Sequence, residues 1–108
     1  MGKLRALAVT SAQPSALAPD LPTLAASGLP GYEAEQKFGM TAPAKTPVAI
    51  IRRLNQEVVR VLNQGDVKEM LSNSGIESVG SSPEHLAVTI KSDMALWGKV
   101  IKDAGIKN

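Results

Sequence analysis

The side chains able to do chemistry are few and widely spaced. The 108 residues hold one histidine, His85, and no cysteine. A histidine working as a base needs an orienting carboxylate and a nucleophile that converge on it. Nothing in the sequence sets such partners beside His85, which reads as a surface residue in the first turn of a helix. Without cysteine there is no disulfide framework, no thiolate zinc site and no thiol nucleophile. Asp20, Glu33 and Glu35 are the carboxylates that a fold would have to gather into a metal or acid–base site. They lack metal-ligand spacing and read as solvated loop residues. Neither G-x-G-x-x-G nor G-x-x-x-x-G-K occurs, so the glycines form no phosphate-cradling loop. These residues predict no catalytic group, no metal and no cofactor.

Charge and composition narrow the partners. Twelve Lys and Arg against ten Asp and Glu leave a net charge of +2, and the pI near 9.1 reflects that small surplus rather than a basic patch. Arg52 and Arg53 are the one adjacent pair of cations, and with Arg60 they lie on the polar side of a helix. Tyr32, Phe38 and Trp97 are the only aromatic residues. Nucleic-acid binders cluster their cations and add stacking platforms, so no nucleic-acid partner is expected. A hydrophobic fraction of 44% and a charged fraction of 20%, with mean hydropathy −0.01, exclude a disordered, collagenous or coiled-coil chain. No apolar run approaches the roughly 18 residues of a membrane span. The opening MGKLRALAVTS has no apolar run ending in a small-residue cleavage site and does not read as a signal peptide.

The elements follow from punctuation and periodicity. Six of the seven prolines fall between Pro14 and Pro47, so a proline-punctuated first half precedes a helical second half. Leu4 to Thr10 (LRALAVT) is short and nearly all apolar, the pattern of a strand buried on both faces. Thr23 to Ser27 can form one helical turn closed by Gly28, and Leu29-Pro30-Gly31 a tight turn. Glu35 to Thr41 reads as a second strand, weakened at Gly39. Thr46 and Pro47 open a helix to about residue 64, with Ile51, Leu54, Val58 and Val61 on one face. Asp66 and Glu69 resemble a capping box for a helix over 66–74 closed by Gly75. Ser82, Pro83 and Glu84 open the longest helix, over 83–104, closed by Gly105. Its Leu86, Ile90, Met94, Trp97, Ile101 and Ala104 form a stripe expected to be core rather than a ligand site. One or two strands cannot complete a parallel sheet, so the chain pairs with a second copy or belongs to something longer.

Five segments carry more information together: GKLRALAVTSA, APDLPTLAASGLPGYE, FGMTAPAKTP, RLNQEVVRVL and WGKVIKDAGIK. In this order and at these spacings the chain resembles the C-terminal third of the substrate-binding receptors of tripartite tricarboxylate transporters, the Bug-type periplasmic binding proteins. The resemblance implies an α/β fold, the C-terminal portion of a two-lobed periplasmic binding protein, helix-rich and with few strands of its own. It implies binding and not catalysis, with a di- or tricarboxylate or an acidic amino acid as ligand, a membrane permease as partner and a periplasmic location. Residues 1–10 would then belong to the second lobe, 11–31 to a proline-rich hinge and 32–108 to the first lobe.

Within that frame five residues are candidates for the ligand cleft. Thr10 and Ser11 offer hydroxyls at the carboxyl end of a strand, where α/β sheets bind ligands; capping the following turn is the equal alternative. Lys37, Phe38 and Gly39 form the other group. The family commonly has an aromatic pair before this glycine, and here Lys37 stands at its first position, where an ammonium can pair with an anion. Asp20, Pro22 and Thr23 match the family's P-D-x-P-T pattern, read as hinge geometry. Self-association is expected, because Leu4 to Thr10 would otherwise leave an apolar edge open. The alternative reading is a stand-alone helical protein-interaction module; an enzyme ranks third.

Overall fold

The computed structural model describes residues 2–107. Among the described residues three α-helices form: α1 over Val48–Leu62, α2 over Gly65–Asn73 and α3 over Pro83–Asp103. A single 3-10 turn precedes them at Ala25–Ser27. The chain divides into two compact units. One joins the described residues up to Phe38 with Gly65–Ser78, and the other joins Gly39–Gln64 with the residues from Val79 onward.

The first unit is organised around Thr23, the one buried side chain among the described residues, at 5% exposure. Val9 and Thr23 form a parallel bridge, in which the Val9 amide donates to the Pro22 carbonyl and the Leu24 amide to the Val9 carbonyl, both at 2.9 Å. Thr23 then caps the 3-10 turn: its Oγ1 accepts from the Ala26 amide at 3.1 Å, and its carbonyl accepts from the Ser27 hydroxyl at 2.7 Å. Gly28, at φ 120°, ends the turn. Leu29 to Tyr32 close a tight turn through a 3.0 Å Tyr32 amide bond to the Leu29 carbonyl, with Gly31 at φ 78° supplying the positive φ that a proline-glycine turn requires. Just after α2, Gly75 at φ 75° permits the paired terminal bonds from the Ile76 amide to the Leu71 carbonyl and from the Gly75 amide to the Ser72 carbonyl. The carboxylate of Glu77 accepts from the Ala16 amide at 3.1 Å and so ties this stretch to the proline-rich one.

The second unit packs α1 on α3. Ser82 caps α3, its hydroxyl accepting from the His85 amide at 3.1 Å, with Pro83 in the first helical position. Asn55 Nδ2 donates to the Ser81 carbonyl at 2.8 Å, fixing the start of α3 against α1. Arg52 and Glu84 meet at 3.2 Å, and Glu57 gathers Arg53 at 3.4 Å and Arg60 at 2.8 Å. All of these side chains are largely solvated, so each pair contributes at most about 1 kcal/mol. Lys99 pairs with Asp103 near the end of α3. Substituting Ser82→Ala removes the acceptor and is expected to cost about 1 kcal/mol. Denaturant melts followed by helical circular dichroism measure this, and a melt superimposable on that of the parent would show that the cap contributes nothing.

Five expectations change. Helix α2 begins at Gly65, so Asp66 lies inside its first turn and is not the cap of a capping box. Leu4 to Thr10 forms no strand: Val9 alone makes a bridge, and Leu4 is 95% exposed. A strand exists only with a neighbour to bond, and among the described residues no ladder forms along Leu4 to Ala8. Glu35 to Thr41 is likewise unladdered, with Phe38 and Met40 exposed. Thr46 does not cap α1; its hydroxyl donates to the Pro43 carbonyl at 2.7 Å, and Pro47 occupies the cap position. The turn three residues back captured the hydroxyl that would have reached forward. Finally, the α3 stripe is not core: Ile90, Met94, Trp97 and Ile101 are exposed, Met94 at 71%.

That last difference has a measure. The chain exposes 9083 Å² of surface. Among the described residues no apolar side chain is buried.

Candidate functional site

The site begins where Val9 is pinned to Pro22 and Leu24, because that bridge fixes the residues directly after it. Thr10 is bound twice to Ala34: its Oγ1 donates to the Ala34 carbonyl at 2.6 Å, and its carbonyl accepts from the Ala34 amide at 2.9 Å. The Ser11 hydroxyl donates to the Gln13 carbonyl at 2.7 Å. Both hydroxyl protons are therefore engaged by backbone carbonyls. A carboxylate accepts hydrogen bonds and needs donors, so in this arrangement neither hydroxyl has a proton to offer it. Their remaining capacity is as acceptors.

Lys37 and Phe38 follow Ala34 by three and four residues and end the first stretch of the first unit, with Phe38 72% exposed. Gly39 begins the second unit. A Cβ built there would lie 3.4 Å from both terminal methyl carbons of Leu86, at the edge of ordinary van der Waals contact, so Gly39 packs against the first turn of α3 without glycine being required there. The structure thus brings Thr10 to Ala34, turns Ser11 towards Gln13, and gives Gly39 a packing neighbour of its own in Leu86. Glu77 and Ala34 are the positioning residues that the sequence reading missed. Their partners lie 61 and 24 residues away, and no local pattern announces a bond across such a span.

Elsewhere the geometry offers little chemistry. Among the described residues no three His, Asp or Glu side chains are placed to hold a metal ion. His85 is engaged through its backbone amide, by Ser82. No helix among the described residues is long and apolar enough to cross a membrane.

A model of the tripartite tricarboxylate transporter family receptor matches residues 1–106. The chain belongs to this receptor family. It is 41% identical over 100 residues to the UPF0065 protein of the tcbD-tcbE intergenic region of Pseudomonas sp. (strain P51), covering 92% of this chain and 30% of that protein. It is 32% identical over 106 residues to Protein BugT of Bordetella pertussis, covering 98% of this chain and 32% of BugT. It spans 60% of the UPF0065 protein of the clcB-clcD intergenic region of Pseudomonas knackmussii, at 33% identity. A solved R. palustris protein, determined with adipate, superimposes with a TM-score of 0.72 at 38% identity, covering 92% of this chain and 33% of that one.

This receptor-family chain therefore spans about a third of most of these relatives. Its fold is that of part of such a receptor, helix-rich and without a sheet of its own among the described residues. The family is one of binding proteins rather than enzymes. Membership does not favour the stand-alone interaction module.

Proposed function

We propose that this chain forms part of an extracytoplasmic solute receptor that captures a small carboxylate, a di- or tricarboxylate or an acidic amino acid, by closure of two lobes. The receptor then delivers that ligand to the membrane permease of a tripartite transporter. The observation that carries the reading is the 38% identity to a protein solved with adipate, over 92% of this chain. Residues 1–10 would stand in the second lobe, 11–31 in the hinge and 32–108 in the first lobe. Of the candidate contacts Thr10, Ser11, Lys37, Phe38 and Gly39, Lys37 alone brings a positive charge, and an ammonium donates charge-assisted hydrogen bonds to carboxylate.

The chain is one part of the cleft, so the test supplies the rest. Adipate is titrated calorimetrically into this chain mixed with the separately produced remainder of the P51 relative. Saturable binding by the mixture, with little or none by either part, is the expected result. A mixture that forms a complex yet stays silent with adipate, succinate, citrate and glutamate overturns the carboxylate reading. Self-association of the chain on its own is also proposed, and the exposed area supports it.

A further inference from the structure

We infer that Thr10 is a positioning residue and not a ligand contact: its hydroxyl clips Ala34 in place and so sets the path of the stretch that carries Lys37. The inference deepens the receptor reading and takes its functional meaning from it. The clip has two arms of opposite sense. Thr10 receives the Ala34 amide at 2.9 Å and gives its hydroxyl proton to the Ala34 carbonyl at 2.6 Å, so the peptide groups on both sides of Ala34 are held by one residue. A backbone pair alone is a single hinge point; a second bond from the side chain removes the rotation about it.

Both ends of the clip are themselves constrained or adjacent to a constraint. Thr10 follows Val9, whose amide and carbonyl are fixed to Pro22 and Leu24 at 2.9 Å. Those residues flank Thr23, the buried cap of the 3-10 turn. Rigidity therefore passes from the Thr23 turn through Val9 and Thr10 to Ala34, and the next residues, Glu35 to Phe38, leave from that anchored point. Among the described residues Glu35 to Thr41 makes no ladder of its own. The 2.6 Å length is at the short end for a neutral hydroxyl donor, and this hydroxyl has a single proton. A ligand carboxylate would have to displace Ala34 to claim it.

The test compares Thr10→Val, which keeps the β-branched shape and deletes the hydroxyl, with Thr10→Ser, which keeps the hydroxyl. Amide hydrogen exchange and chemical shifts are read by NMR on this chain. With one neutral hydrogen bond lost, the Ala34 amide is expected to exchange roughly fivefold faster in Thr10→Val. The Lys37 and Phe38 amide resonances should shift as well, and both effects should revert in Thr10→Ser. The Leu24 amide, bonded to Val9 one residue from the substitution, is the internal reference and should hold its rate. Unchanged Ala34 exchange in Thr10→Val overturns the clip. So does an equal acceleration at Leu24, which would mean general loosening, or a Thr10→Ser variant that behaves like valine. None of these readouts uses a carboxylate, so a failed adipate titration would remove the receptor reading while leaving the clip standing.

Discussion

Multi-angle light scattering of the purified chain is expected to give a mass at least twice the 11.3 kDa of a single copy at micromolar concentration. The reason is area. Among the described residues no apolar side chain is buried, so each unit keeps its apolar surface open. The exposed material is also of the kind that associates. Leu4 and Leu7 lie in an unladdered apolar run, and Val88, Ile90, Met94, Leu96, Trp97, Val100 and Ile101 lie along α3. A charge in the middle of that helix, Met94→Glu, should lower the mass towards that of one copy. A monomeric mass held from micromolar to millimolar concentration would show that these faces repel partners rather than recruit them, and self-association would be withdrawn.

The second large effect concerns Lys37. In the complemented receptor, Lys37→Gln is expected to weaken carboxylate binding by roughly tenfold or more, because a hydrogen bond to a charged partner contributes about 1.5–3 kcal/mol. Lys37→Arg keeps the charge but changes a compact ammonium into a planar fork, so it should recover part of the affinity and alter the ranking of adipate against citrate. Raising the salt concentration should narrow the gap between the parent and Lys37→Gln only if the pair is solvent-exposed. Equal affinities for all three forms would place Lys37 outside the cleft, and the ligand's charge would then be met by backbone amides.

What could be read from the sequence was whatever a few adjacent residues decide among themselves. Thr23 to Gly28, Leu29 to Tyr32, the Ser82-Pro83 cap and the glycine stops at Gly75 and Gly105 all appear as read, because cap, turn and left-handed glycine are local steric choices. The strand expected over Leu4 to Thr10 does not form for the converse reason. Its apolar pattern describes a buried strand, but burial and ladder bonds come from other backbone, and among the described residues such bonds reach only its end, from Pro22 and Leu24 to Val9 and from Ala34 to Thr10. Thr46 shows a local rule losing to another local rule, with the Pro43 carbonyl taking the hydroxyl first. At the candidate site, the residue types were visible and their employment was not. That Thr10 holds Ala34, or that Glu77 holds Ala16, depends on how the chain returns after 24 or 61 residues.

The interleaving of the two units also governs how the molecule can be made and taken apart. Each unit draws on two separate stretches of chain, with crossings after Phe38, Gln64 and Ser78. During synthesis from the N-terminus, the first unit remains unfinished until Ser78 has left the ribosome, and by then all of α1 has emerged without α3. Domains that fold one after another as they are translated need contiguous sequence, which neither unit has. A single protease nick consequently cannot separate the two units from each other. Expression of residues 1–64 alone would yield two halves that each await a missing strip of polypeptide.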